Sequence, residues 1–164
     1  TDTVYGLTAR AVDREAVERL YSLKKREHKP GTLIAASVEQ LVALGIQPTA
    51  LESVADFWPN PLSIIVPTPD SLAYLTQEVG GIACRVPADR TLLRLLDKTG
   101  PLITTSANMP GEPVAETVRE AQACFKDLVD FYVDGGDLLG KAPSTVVRIT
   151  NGSVEVVRQG AFQL

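Results

Sequence analysis

Apolar residues in this chain follow two alternating patterns: helical faces spaced three and four apart, and short continuous runs bounded by glycine or proline. Asp13 precedes a helical pattern with Val17, Leu20 and Tyr21 on one face, which predicts a capped helix running to about residue 26. Residues 32–36 read as a buried strand, and Ser37 with Gln40 forms a capping box for a short helix that ends at Gly45. Pro48 opens a further helix to about residue 57, and Trp58-Pro59-Asn60-Pro61 forces a turn into a strand at 62–66, closed by Pro67 and Pro69. A strand at 82–86 follows. Asp89 then caps a helix carrying Leu92, Leu93, Leu95 and Leu96, with Gly100 just past its end. Residues 102–105 form the next strand, and Thr117 with Glu120 caps a helix to about residue 125. Strands are predicted at 130–133, 145–149 and 154–158, the last two joined by the hairpin signal Asn151-Gly152. Alternating helices and strands that close in a hairpin imply an α/β fold: one domain, a twisted mixed sheet with flanking helices.

With 164 residues, the chain is long enough for one domain with a substantial core. It carries a net charge of −4, which argues against a generic nucleic-acid binder acting by charge alone but leaves a local basic patch open. No apolar run approaches the roughly 20 residues that cross a bilayer, so no membrane association is expected. Cys84 and Cys124 form no C-x-x-C and read as core fillers, and a reducing cytoplasmic location is the simplest expectation. His28 is the sole histidine, which argues against a histidine-rich metal site and against a Ser-His-Asp triad not built on it. The chain opens at Thr1, inside a polar motif, which leads to the expectation that an N-terminal helix and strand are missing.

The richest candidate chemistry lies in Pro101-Leu102-Ile103-Thr104-Thr105-Ser106-Ala107-Asn108-Met109-Pro110-Gly111. A strand empties into a loop offering a hydroxyl, an amide and backbone N–H groups, a cradle for a polar ligand such as phosphate; the same residue types also fill ordinary turns. Lys24, Lys25, Arg26 and Lys29 place four cations within six residues. They can complement a helix C-terminus or clamp phosphate, and their density on an acidic protein favours an anion site. Arg85 lies in an apolar strand, where a charge must be paired internally or face a cleft as a carboxylate clamp. Thr1, Thr3 and Tyr5 alternate toward Gly6, as at a strand end lining a pocket or along an edge strand. Ser144, Thr145 and Arg158 are open to either a ligand-binding or a structural role. Asp134-Gly135-Gly136-Asp137 reads as a tight turn rather than a metal site. Two standard nucleotide signatures, G-x-x-x-x-G-K-[ST] and G-x-G-x-x-G, are absent.

Taken together and in order, these motifs resemble the YrdC-like family of threonylcarbamoyl-AMP synthases, over nearly the whole chain. The resemblance is carried by Thr1-Asp2-Thr3-Val4-Tyr5-Gly6-Leu7, Lys24-Lys25-Arg26, Trp58-Pro59-Asn60-Pro61-Leu62-Ser63, Cys84-Arg85-Val86-Pro87 and Ser106-Ala107-Asn108-Met109-Pro110-Gly111. Asp134-Gly135-Gly136, Ser144-Thr145-Val146-Val147 and Arg158-Gln159-Gly160-Ala161 complete it. Cys84, Asn60 and Pro110 depart from the family's usual valine, glycine and serine, and the segment from Arg26 to Lys29 is one residue shorter than usual.

The resemblance implies a YrdC/RibB-like sheet around a large, concave, positively charged cavity. It implies a nucleotidyltransferase that condenses L-threonine, bicarbonate and ATP to threonylcarbamoyl-AMP and pyrophosphate, for the t6A37 modification of tRNA. By family role, Thr3, Arg85, Thr104 and Ser144 would hold L-threonine. Lys24, Arg26, Lys29, Ser106, Asn108 and Arg158 would hold ATP, with Lys24, Arg26, Ser106 and Asn108 as the catalytic group. Mg²⁺ would arrive on the ATP phosphates without a protein metal site. Transfer RNA and other t6A-pathway proteins are the implied macromolecular partners. Two alternatives stay open: a non-catalytic member that binds double-stranded RNA or tRNA, and a carbamoyl-transfer domain of a larger maturation protein.

Overall fold

A seven-stranded mixed sheet organises the chain in a computed structural model that describes residues 1–25, 28–52, 54–150 and 152–163. In chain order the elements are β1 (Gly6–Arg10), α1 (Arg14–Leu23), β2 (Thr32–Ile34), α2 (Val38–Leu44), α3 (Pro48–Glu52), β3 (Leu62–Pro67) and α4 (Ala73–Thr76). They continue with β4 (Gly81–Arg85), α5 (Arg90–Thr99), β5 (Leu102–Ser106), α6 (Val118–Phe125), β6 (Thr145–Thr150) and β7 (Ser153–Arg158). The strand order is β1-β5-β2-β4-β3-β6-β7, with β2–β4 and β3–β6 parallel and the other pairs antiparallel.

The two faces of the sheet have opposite character because the pairing register keeps like residues in rows. Ile103, Leu33, Cys84, Ile64 and Val147 form one row across five strands, and none is more than 1% exposed. They join the main core with Val17, Leu20 and Tyr21 of α1, Leu41 of α2 and Phe125 of α6. Burying each large aliphatic member contributes about 2 kcal/mol. One residue along, the row is Thr8, Thr104, Thr32, Ala83, Ile65 and Arg148, mostly polar or small. At the end of that face, Leu96 of α5 packs on Ile34 and Leu102 as a separate small cluster.

Helix starts follow their caps. Asp13, Ser37, Asp89 and Thr117 each accept a hydrogen bond from a backbone N–H three residues on. Gly45 ends α2 at φ 119°, a conformation that favours glycine. Among the described residues no helix is long and apolar enough to cross a membrane.

Several boundaries differ from the sequence expectations. Helix α1 ends at Leu23 rather than near residue 26, because Lys24 is drawn inward and Lys25 takes φ 45°. The helix expected over 48–57 is split into α3 and a single 3₁₀ turn at Ala55–Phe57, and α4 was not anticipated. The polar alternation of Thr1, Thr3 and Tyr5 precedes the edge strand, which begins at Gly6. The strand expected at 130–133 does not form: Phe131 is 77% and Val133 65% exposed, and the following turn is bound by the Tyr5 side chain instead of a ladder. Strand propensity yields to the lack of a ladder partner there.

Candidate functional site

The polar row floors a cavity of about 720 Å³. Its volume follows from the small side chains at Gly81 and Ala83 on β4 and from Gly31 and Gly6 beside β5. At Gly31 a Cβ would stand 2.6 Å from the Thr104 carbonyl oxygen, and at Gly6 2.8 Å from Thr104 Oγ1, so each glycine lets two backbone segments close on Thr104.

One wall comes from the β6–β7 hairpin and the segments flanking it. Ser144 Oγ lies 2.9 Å from Ser63 Oγ. Arg158 donates from Nη2 and Nε to the Ser144 carbonyl at 2.7 and 3.2 Å, and from Nη2 to Ser144 Oγ at 3.2 Å. Buried Thr145 fastens the tail: its Oγ1 accepts from the Gly160 and Phe162 N–H groups at 3.0 and 3.1 Å and donates to the Phe162 carbonyl at 2.7 Å. Gly160 is required by close approach, since a Cβ there would overlap the Pro143 carbonyl oxygen and stand 2.6 Å from the Ser144 carbonyl carbon. Both contacts are backbone and cannot swing aside. Gly160→Ala is therefore expected to cost about 3 kcal/mol, read as a lower denaturation midpoint in urea. An unchanged midpoint would contradict the geometry.

The opposite wall is the loop after β5. Lys24 is 3% exposed, and its ammonium donates to the Ser106 carbonyl and Asn108 Oδ1 at 2.8 Å each, and to the Asn108 carbonyl. Ser106 Oγ donates to Asn108 Oδ1 at 2.7 Å, and Asn108 Nδ2 donates to the Glu112 carbonyl at 2.6 Å. The three residues form one connected network. Ser106 is its member on the cavity surface, with Lys24 and Asn108 bonded behind it.

The deep end belongs to Arg85, which is 2% exposed and donates from Nη1 to Asp2 Oδ2 at 2.8 Å. Its Nε is buried without a hydrogen-bond partner. Thr3 and Thr104, both buried, line the same cavity, and Thr3 Oγ1 lies 3.1 Å from Thr1 Oγ1. Tyr5 braces this end. Its hydroxyl donates to the Gly136 carbonyl at 2.7 Å and to Asp134 Oδ1 at 3.2 Å, and accepts from the Gly135 N–H at 2.9 Å. Burial pushes the Tyr5 phenol above its ordinary pKa, and Asp134 acts in the same direction, so the hydroxyl stays a donor.

Six of the expected site residues therefore converge on one cavity: Thr3, Arg85, Thr104, Ser106, Ser144 and Arg158. Lys29 stands apart from that lining; it is exposed, and its backbone N–H donates to Gln77 Oε1 at 2.7 Å. Arg26 lies outside the described residues. Three lining or supporting residues were missed from sequence: His28, Arg148 and Asp2. His28 lines the mouth, with Nδ1 3.3 Å from the Gln77 carbonyl oxygen. Arg148 lines the floor and pairs with Glu155 at 3.1 Å. Strand alternation could have found Arg148, since it follows the core residue Val147 on the opposite face.

The Sua5/YciO/YrdC family model, described as telomere recombination, matches residues 1–160. The chain belongs to the Sua5/YciO/YrdC family. The threonylcarbamoyl-AMP synthase of Pyrococcus abyssi is 32% identical over 169 residues, covering 100% of this chain and 50% of that protein. The threonylcarbamoyl-AMP synthase of Pseudoalteromonas translucida is 34% identical over 164 residues, covering 94% of this chain and 86% of its own. The crystal structure of P. abyssi Sua5 complexed with L-threonine matches with a TM-score of 0.86 at 32% identity, over 98% of this chain and 48% of that one. The chain thus spans about half the length of the Pyrococcus protein. The P. abyssi Sua5 structure shares its mixed sheet with flanking helices.

Proposed function

We propose that this Sua5/YciO/YrdC chain is a threonylcarbamoyl-AMP synthase of the nucleotidyltransferase type, condensing L-threonine, bicarbonate and ATP. The observation that carries the reading is Arg85, a buried guanidinium at the end of a polar cavity whose Nε has no protein acceptor. A guanidinium lining a cavity of hydroxyls is the chemistry that a carboxylate ligand fits. By motif Thr3, Thr104 and Ser144 go with the amino acid, and Ser106, backed by Lys24 and Asn108, goes with the nucleotide together with Arg158; Arg158 is hydrogen-bonded to Ser144, so the two halves meet there. Arg26 and Lys29 belong to the ATP half by motif.

The amine of threonine adds to the carbonate carbon, with loss of water, to give N-carboxy-threonine. The new carboxylate attacks the α-phosphorus of ATP, and the bond to the β-phosphate oxygen breaks to release pyrophosphate. Negative charge stays on phosphate and carboxylate oxygens throughout, so positioning and fixed donors are what the protein must supply. Among the described residues no three of His, Cys, Asp and Glu gather as metal ligands, and the cavity's donor set of hydroxyls and guanidinium groups suits anionic oxygens. Mg²⁺ would therefore enter on the phosphate oxygens of ATP, neutralising their charge. The product adenylate feeds t6A modification of tRNA.

Pyrophosphate release from ATP is the test. Release that requires both L-threonine and bicarbonate, and that L-serine supports poorly, is expected. Absence of release, with tight binding of double-stranded RNA instead, would replace this reading with a non-catalytic one.

A further inference from the structure

Three arginines and no Asp or Glu stand among the described residues that line the cavity, although the whole chain carries a net charge of −4. Arg85 is held by buried contact with Asp2, and Arg158 by three hydrogen bonds to Ser144. The third, Arg148, has a much weaker hold. It ends the polar row of the sheet beside Ile65 of β3, and it pairs at 3.1 Å with Glu155, directly opposite on the β6–β7 ladder. The two side chains are 49% and 64% exposed, and an ion pair so exposed contributes about 0–1 kcal/mol. Glu155 is not part of the lining, so its carboxylate draws on the guanidinium from outside the cavity. Arg158 stands opposite Val146, two residues before Arg148 on β6. Arg148 and Arg158 are therefore diagonal neighbours on one hairpin, with backbones about 7–8 Å apart and within reach of a common ligand.

We propose that Arg148 is a further substrate-binding residue, which gives up Glu155 to hold the β- and γ-phosphates of ATP and then the pyrophosphate. This rests on the assignment of Arg158 to ATP. A triphosphate spreads its charge along a chain, and two guanidinium groups at diagonal positions match that chain better than they match a single carboxylate or bicarbonate. Arg148 is half exposed where Arg85 is buried, so it marks the solvent end of the cavity, the side toward which a leaving group must depart. Exchanging Glu155 for phosphate costs little, because the exposed ion pair is weak and a guanidinium–phosphate contact is charge-assisted and can be bidentate. When the bond from the α-phosphorus to the bridging oxygen breaks, its electron pair passes to pyrophosphate, and Arg148 meets that charge with no proton changing hands. Glu155 sets the resting position of the guanidinium and competes with the ligand. The two partners of one ion pair therefore act on binding with opposite sign.

Calorimetric titration with ATP, AMP and pyrophosphate, each with Mg²⁺, tests this on the unmodified protein, Arg148→Gln, Glu155→Gln, the double variant and Arg158→Ala. In Arg148→Gln the affinity for ATP and for pyrophosphate should fall by about tenfold, while AMP, which lacks the outer phosphates, stays within about twofold. In Glu155→Gln both should bind about threefold more tightly, and that gain should vanish in the double variant, where no guanidinium is left to release. A pair that merely braces the hairpin predicts the opposite pattern: equal small losses of melting temperature in the two single variants and no change in ligand affinity. That result would overturn the proposal. So would equal weakening of AMP and ATP in Arg148→Gln, or a gain from Glu155→Gln that persists in the double variant as a simple effect of net charge. Unchanged ATP binding in Arg148→Gln beside its loss in Arg158→Ala would overturn the proposal and leave the nucleotide assignment standing. Failure of the unmodified protein to bind ATP would overturn both.

Discussion

Arg85→Ala is expected to lower affinity for L-threonine by about a hundredfold or more, to remove threonine-dependent pyrophosphate release, and to leave ATP affinity within a fewfold of normal. Among the described residues lining the cavity Arg85 is the one buried cation, so no neighbour replaces the contact with a carboxylate proposed for it. The substitution also strands Asp2, whose Oδ2 loses its ion-pair partner while Oδ1 is already unpaired. Breaking a buried pair from one side costs about 3–5 kcal/mol, because an uncompensated charge is left behind. For a domain of this size that corresponds to a fall in melting temperature of about 10 °C. The two losses can be separated. Arg85→Met combined with Asp2→Asn removes both charges and should recover most of the melting temperature, but none of the threonine affinity. Recovery of threonine binding in the double variant, or a wild-type response in Arg85→Ala, would remove Arg85 from the site.

Most of the frame was readable from local patterns because local physics decides it. The caps at Asp13, Ser37, Asp89 and Thr117 appear where a short polar side chain precedes a helical rhythm, and each is formed. Buried runs such as 62–66 and 102–105 were legible as strands because they are too short for a helix and follow a proline. What sequence could not supply was the neighbour. Residues 130–133 have strand-like composition, yet their exposed Phe131 and Val133 meet no ladder. Asp2 was read past because its meaning lies in a partner 83 residues away. Arg85 could be read either as an internal ion pair or as a ligand clamp; the structure shows the ion pair, with Nη1 on Asp2, and leaves Nε without a protein partner.

Lys24 illustrates the same limit from the opposite side, and supplies the second large effect. By sequence it belongs to a cationic cluster at a helix end. In the fold it turns inward and its ammonium is spent on the Ser106 carbonyl, the Asn108 carbonyl and Asn108 Oδ1. Its first task is thus to shape the loop that presents Ser106 to the cavity. Lys24→Met would fill the space but leave those acceptors without their donor, at about 1–3 kcal/mol for each that water cannot reach. Lys24→Arg is not expected to rescue it, since a planar fork cannot replace a compact ammonium among three converging oxygens. A displaced Ser106–Asn108 turn would move Ser106 and Asn108, assigned to ATP, while leaving Arg85, Thr3 and Ser144, which make no hydrogen bond to that turn, in place. The expected result for Lys24→Met is a drop of about a hundredfold in kcat/KM for ATP, a much smaller change in threonine affinity, and a lower denaturation midpoint. If the variant kept both its stability and its ATP kinetics, the network would be incidental. If threonine binding fell as far as ATP use, the loop would not be confined to the nucleotide half. The contrast with Arg85→Ala is what makes the pair informative: one cation is expected to act on the amino acid directly, the other on ATP through the loop it holds.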